Sequence, residues 1–161
     1  MTTPEPAVSV VVVDSSVSLK WVLPDEDHIA GARRLRRAVV RQQLARHVPL
    51  VWQHEIVNGL LVAARRHRLS AERTHTALDY MVRVPVTVHA IDPQLLYRTA
   101  MRYGVGGFDA AYLAVAEALR APLWTGDRRL FNTVSAAAPC VCWLGGFPAA
   151  PAAGPDGPQP A

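Results

Sequence analysis

Val8-Ser9-Val10-Val11-Val12-Val13-Asp14-Ser15-Ser16 is an apolar run that ends on a carboxylate, and its reading decides how the rest of the chain is placed. The run is strand length, and no apolar stretch approaches the ~20 residues of a bilayer span. In an open parallel sheet the carboxyl ends of the strands line one edge, and that edge is where such folds keep their ligands. Asp14 is the first candidate for a residue on that edge.

Working outward, Ser15 or Ser16 can cap a short helix through Val22, stopped at Leu23-Pro24 because the residue before proline avoids the helical region. The acids Asp25 to Asp27 open an Arg-rich helix to about Gln43. A short strand around Val48 to Val51 precedes a helix from Gln53 to Arg66, where Ile56, Leu60 and Ala63 recur at helical spacing. Ser70 is a natural N-cap for the next helix. Pro85 to His89 reads as a strand, and Asp92-Pro93 starts a helix with proline in its favoured first turn, stopped by Gly104. Gly106-Gly107 precedes an alanine-dense helix, Phe108 to Arg120. A strand at Leu123-Trp124 and another near Val141 complete the set. Strands alternating with helices predict an α/β fold with a mainly parallel sheet flanked by helices.

At 161 residues the chain is one domain by size and can bury a sizeable core. Residues 1–7 read as a flexible lead-in, 8–146 as the folded domain, and 147–161 as a disordered Pro/Ala/Gly tail unable to pack. Met1 to Pro6 carries an acid and two prolines where a secretory signal would need basic residues, so a cytoplasmic location with no membrane contact is expected. Cys140 and Cys142 alternate toward one face and lack the partners of a zinc module, so they read as strand thiols.

The net charge is +4, and every basic residue apart from Lys20 is arginine, histidines left aside. Arg33, Arg34, Arg36, Arg37 and Arg41 crowd one helix, while Arg65, Arg66, His67 and Arg68 end another. Basic clusters around an acidic pocket suit a polyanion such as RNA; a solvated helix face is the plainer reading of each. Trp21 and Trp52 are core residues before they are base-stacking ones.

Three further acids share the position of Asp14. Asp127 follows Leu123-Trp124-Thr125-Gly126 at another strand end, and Glu55 and Asp109 open helical stretches, where the helix dipole favours negative charge. A lone acid at a first turn is more often a cap than a ligand. Four acids converging on one edge would repel one another, and a hard divalent cation, which prefers oxygen ligands, reverses that cost. Such an ion lowers the pKa of bound water and stabilises charge on a phosphate, the chemistry of phosphodiester hydrolysis.

Val-Val-Asp14-Ser-Ser-Val, Glu55-Ile-Val-Asn58-Gly-Leu, Phe-Asp109-Ala-Ala-Tyr-Leu and Trp-Thr125-Gly-Asp127-Arg-Arg-Leu occur in the order found in PIN-domain proteins. On these motifs the chain resembles a PIN-domain ribonuclease of the VapC toxin type. The resemblance implies a three-layer α/β/α sandwich with a central mainly parallel sheet. It also implies a metal-dependent endoribonuclease using Mg²⁺ or Mn²⁺, acting as the toxin of a toxin–antitoxin pair. By motif position, Asp14, Glu55, Asp109 and Asp127 are the catalytic, metal-pocket acids, with Ser15, Asn58 and Thr125 as supporting polar residues. The implied partners are an RNA substrate, a cognate antitoxin and a second copy in a homodimer. Gly106-Gly107 departs from the polar or aromatic lead-in expected before Phe108.

Two other enzymes that use an acid after the first strand fit poorly. A haloacid-dehalogenase-like phosphatase needs a second Asp where Ser16 stands, and a receiver domain needs a late lysine where none exists. The competing reading is a catalytically silent PIN-fold module that binds RNA or protein, which would gain from losing the four acids.

Overall fold

The opening apolar run becomes strand β1 (Ser9–Val13), in which Val11, Val12 and Val13 are all buried. Consecutive burial means both faces are covered, the situation of a central strand in a parallel sheet. The computed structural model describes residues 8–23 and 26–149. The lead-in, Leu23-Pro24 as a helix stop, Asp25 as a helix opener and the tail beyond Ala149 fall wholly or partly outside the described residues. The other strands are β2 (Leu44–Pro49), β3 (Thr87–His89), β4 (Leu123–Thr125) and β5 (Val141–Trp143). They form one sheet in the order β3-β2-β1-β4-β5, with every neighbouring pair parallel.

Helices α1 (Ser15–Leu19) and α2 (Ile29–Val40) link β1 to β2, and α3 (Val51–Arg65) and α4 (Ala71–Arg83) link β2 to β3. Helices α5 (Pro93–Tyr103) and α6 (Gly107–Leu119) lead to β4, and α7 (Arg128–Val134) leads to β5. The chain steps outward from β1 to β3, then crosses to the other side of β1. Because parallel crossovers are right-handed, this reversal puts α1 to α4 on one face and α5 to α7 on the other. Packing of α3 on α1 and α4, and of α5 on α6, agrees with a three-layer α/β/α sandwich. Among the described residues no helix is long and apolar enough to cross a membrane.

Helix α6 is buried at every residue from Ala110 to Ala116, against β1, β2, β4 and α5. Its alanines are what let a helix covered all round approach the sheet closely. Ser70 caps α4 by accepting from Arg73 N, and Asp92 caps α5 by accepting from Gln94 N and Leu95 N at 3.0 Å.

The structure departs from the sequence reading in several places. Strand β2 is Leu44–Pro49 rather than Val48–Val51, because pairing with β1 extends it over the polar Arg46 and His47. Arg46 is 2% exposed, with its guanidinium 5.0 Å from the Trp21 ring and 4.9 Å from the Trp52 ring. It donates to Val84 O, and its Nε and Nη1 have no partner. Leu50 turns at once into α3, so Glu55 lies in the second turn rather than opening the helix. Helix α7 was not expected; Asp127 caps it by accepting from Leu130 N at 3.1 Å, and Leu130 and Val134 anchor it in the core. Phe147, placed by the sequence reading in the tail, packs edge-on against Trp124, and the Phe147 and Pro148 carbonyls accept from Arg34.

Candidate active site

Strand order reverses beside β1, so the carboxyl ends of β1 and β4 border the crevice that such sheets open at a switch point. Asp14 follows β1 there, its backbone N–H donating to Trp124 O of β4. Its side chain is 6% exposed. Three hydroxyls address it: Thr125 Oγ1 donates to Oδ2 at 2.7 Å, Ser16 Oγ to Oδ2 at 2.6 Å, and Ser15 Oγ approaches Oδ1 at 3.4 Å. Asp14 occupies the N-cap position of α1 without its side chain bonding to the helix backbone, so the expected serine cap gives way to serines turned onto the acid.

Thr125 and Ser16 also tie the β4 loop down, accepting from Asp127 N at 3.0 Å and Gly126 N at 2.9 Å respectively. Asp127 therefore leaves β4 in a fixed direction, with one oxygen capping α7 and the other facing Arg129. Asp109 stands in the first turn of α6, as expected, where the helix dipole favours its charge. The Arg129 guanidinium bridges the two acids, 2.9 Å from Asp109 Oδ2 and 3.4 Å from Asp127 Oδ2. Glu55 reaches the same region from α3 and accepts from the Tyr112 hydroxyl at 2.5 Å. The second turn of a helix feels little of its dipole, so Tyr112 and not the helix terminus supports Glu55.

Burial raises the Asp14 carboxyl above the usual carboxylate range; the Ser16 and Thr125 hydroxyls oppose this, and the charges of Asp109 and Asp127 reinforce it. Burial likewise raises Glu55, opposed by Tyr112 and reinforced by Asp14 and Asp109. The Tyr112 phenol, buried against Asp14 and Glu55, is pushed up and stays a donor. Hydrogen bonding to Asp109, then the charges of both acids, holds Arg129 protonated. Asp14 thus senses Asp109 and Asp127, and Glu55 senses Asp14 and Asp109.

Asn58 is not part of this group. It lies exposed on α3 beside His54 and Val57, in a shallow groove of its own. Lys20, the single lysine, is buried and paired with Glu26 at 3.2 Å. Sequence reasoning missed Tyr112, Ser16 and Arg129. The i,i+3 spacing of Asp109 and Tyr112 was the available signal for the first.

Among the described residues, no three His, Cys, Asp or Glu side chains stand close enough to hold an ion as they are placed. Arg129 occupies two of the acids and Tyr112 a third. The donors are all hard oxygens, and among the described residues only hydroxyls and no cationic side chain bond to the buried Asp14 carboxyl. That donor chemistry fits Mg²⁺ or Mn²⁺.

The PIN domain family matches residues 11–136. The chain belongs to the PIN-domain family. A VapC ribonuclease of Mycobacterium bovis, Mb0985, is 33% identical over 129 residues, covering 80% of this chain and 94% of that protein. Among solved structures, PAE2754 from Pyrobaculum aerophilum superposes with a TM-score of 0.64 at 20% identity, over 87% of this chain and 93% of the other. VapC20 of Mycobacterium tuberculosis, a sarcin–ricin loop cleaving toxin, superposes with a TM-score of 0.56 at 14% identity, over 78% and 95% of the two chains. The matched span of this PIN domain runs from inside β1 to just past α7 and so contains all four acids.

Proposed function

We propose that this PIN domain is a metal-dependent endoribonuclease and the toxin of a toxin–antitoxin pair, acting in the cytoplasm. The observation that carries the reading is Asp14: a carboxylate buried at the switch point, held by hydroxyls, and coupled to three more acids from α3, α6 and the end of β4. A site meant only to bind a polyanion would not concentrate negative charge where the backbone must approach. The 33% identity to a VapC ribonuclease supports the substrate class.

Asp14, Glu55, Asp109 and Asp127 would hold Mg²⁺ or Mn²⁺. When bound, such an ion lowers the pKa of water and neutralises charge on phosphate. The chain's own residues set the stage for this. Thr125 and Ser16 fix one Asp14 oxygen and leave Oδ1 nearly free; Tyr112 orients Glu55 and opposes the rise in its pKa. Arg129 is 66% exposed at the pocket mouth, and a scissile phosphate can take its guanidinium from the acids.

For the protein partners, α3 carries exposed Val57 and Leu61 one turn apart on the helix of Glu55, an apolar face suited to an antitoxin segment. Tyr97 and Met101 on α5, with Phe108 opening α6, form a second exposed apolar face suited to another copy of the chain. The deciding experiment incubates the protein with defined RNAs, with and without Mg²⁺ or Mn²⁺, beside Asp109→Asn. Cleavage that survives chelation, or equal cleavage by the folded variant, would overturn the assignment. Tight RNA binding without cleavage under any metal would favour the silent module.

A further inference from the structure

Thr125, which holds Asp14, pairs across the sheet with Trp143 of β5. Trp143 carries the Arg128 guanidinium over its ring at 4.6 Å and the His28 ring edge-on at 5.2 Å. His28 is the N-cap of α2, so Trp143 links the β4–β5 side of the sheet to the start of that helix. Along α2, Arg34, Arg37 and Arg41 follow at helical spacing and share one face. Together with Phe147 and Pro148 they line a groove of about 470 Å³.

The groove is selective for negative charge. No acid among the described residues lines it, and neither Arg37 nor Arg41 makes an ion pair. Arg34 is fixed by the Phe147 and Pro148 carbonyls, at 2.9 and 3.1 Å, which orients one guanidinium and leaves its charge uncancelled. Arg36 belongs to the other side of the helix, 5.0 Å over the Tyr80 ring. At 1.5 Å rise per residue, Arg34 and Arg41 are ~10 Å apart along the axis, far enough to meet successive phosphates of one strand.

We infer that this α2 groove is a second substrate contact, which binds the RNA backbone on one side of the cleavage site and leads it over Trp143 and Arg128 into the acids. The inference rests on the ribonuclease reading and adds where the strand lies. Phosphates supply the complementary charge, and Arg128, held over the half-buried Trp143 ring, presents a further guanidinium for one of them.

The test compares the full-length chain with Arg37→Ala/Arg41→Ala and with the charge-preserving Arg37→Lys/Arg41→Lys. Both arginines are exposed, so folding is not at stake. Binding of a labelled single-stranded RNA is measured by fluorescence anisotropy in EDTA across a salt series, and cleavage is measured separately with Mn²⁺. Losing two phosphate contacts should reduce the log–log salt slope by about 1.4. Equivalently, affinity lost between about 50 and 200 mM salt should be roughly sevenfold smaller in the alanine variant than in the wild type. The lysine variant should restore the slope, and KM for long RNA should rise in the alanine variant with kcat little changed. An unchanged slope and affinity in the alanine variant, beside a wild type that cleaves, overturns the groove alone. A wild type that binds with the predicted slope change but never cleaves overturns the ribonuclease reading and keeps the groove. A wild type that neither binds nor cleaves overturns both.

Discussion

Replacing Asp14 with asparagine should make the metal-free protein more stable while abolishing its activity. The side chain is 6% exposed, so its charge bears a desolvation cost of several kcal/mol. The charges of Asp109 and Asp127 add repulsion, part of which Arg129 cancels. Against this stand the two short hydroxyl bonds to Oδ2, which weaken by ~1 kcal/mol each when the acceptor becomes neutral. Asparagine keeps the shape and an oxygen for both donors. The raised Asp14 pKa says which side wins, and a net gain of ~1–3 kcal/mol corresponds to a Tm higher by roughly 3–10 °C. The pH dependence has a definite sign. Asp14 titrates above its unfolded value of about 3.8, so its contribution is fully present below that pH and is lost as pH rises through the folded pKa. The advantage of Asp14→Asn should therefore grow from pH 4 upward. Differential scanning fluorimetry in EDTA across this range measures it, and a Mn²⁺ titration should then raise the wild-type Tm and leave the variant unmoved. A variant less stable than wild type at pH 7 in EDTA, or one keeping the full Mn²⁺ response, would refute the reasoning.

Arg129→Gln removes the bridge that competes with a cation for Asp109 and Asp127. Because the pair is exposed and worth at most ~1 kcal/mol, half-saturating Mn²⁺ should fall by no more than about fivefold, read by fluorimetric titration. Tyr112→Phe leaves Glu55 without its main donor. That bond favours the charged carboxylate, so the acid limb of the pH–rate profile should move to higher pH, with stability lower by ~1–2 kcal/mol. Gly31→Ala would place a Cβ 2.8 Å from the Leu144 carbonyl, whereas one at Gly106 meets open space. Denaturant unfolding should show a loss of ~1–3 kcal/mol for the first and little for the second.

Strand β1, the alternation of elements and the acids themselves were legible in the sequence because each is a local signal: a run of valines, a turn residue, a carboxylate at a strand end. The partners of the acids were less legible, since contact between Tyr112 and Glu55 depends on how α3 and α6 cross and not on either helix's pattern. The start of β2 was hidden for a similar reason. A strand containing Arg46 looks like a loop until two indoles from distant segments close over it. Helix α7 carried its signal openly, with Asp127 as cap and Leu130 and Val134 at helical spacing, but seven residues is short for a periodicity to be read. Asn58 was drawn in by motif position alone, and its exposure on α3 separates it from the acids.

The bond between Thr125 and Asp14 joins residues 111 positions apart. On the ribosome the chain emerges from its N-terminus, at roughly 5–20 residues per second. Until β4 has left the exit tunnel and docked beside β1, Asp14 has neither its threonine donor nor Asp127 as a neighbour. The acids therefore come together only once the fourth strand has joined the first. Placing the first acid on the first strand and its hydroxyl partner on the fourth makes the site a late product of chain synthesis, finished well after the strand that carries its central residue.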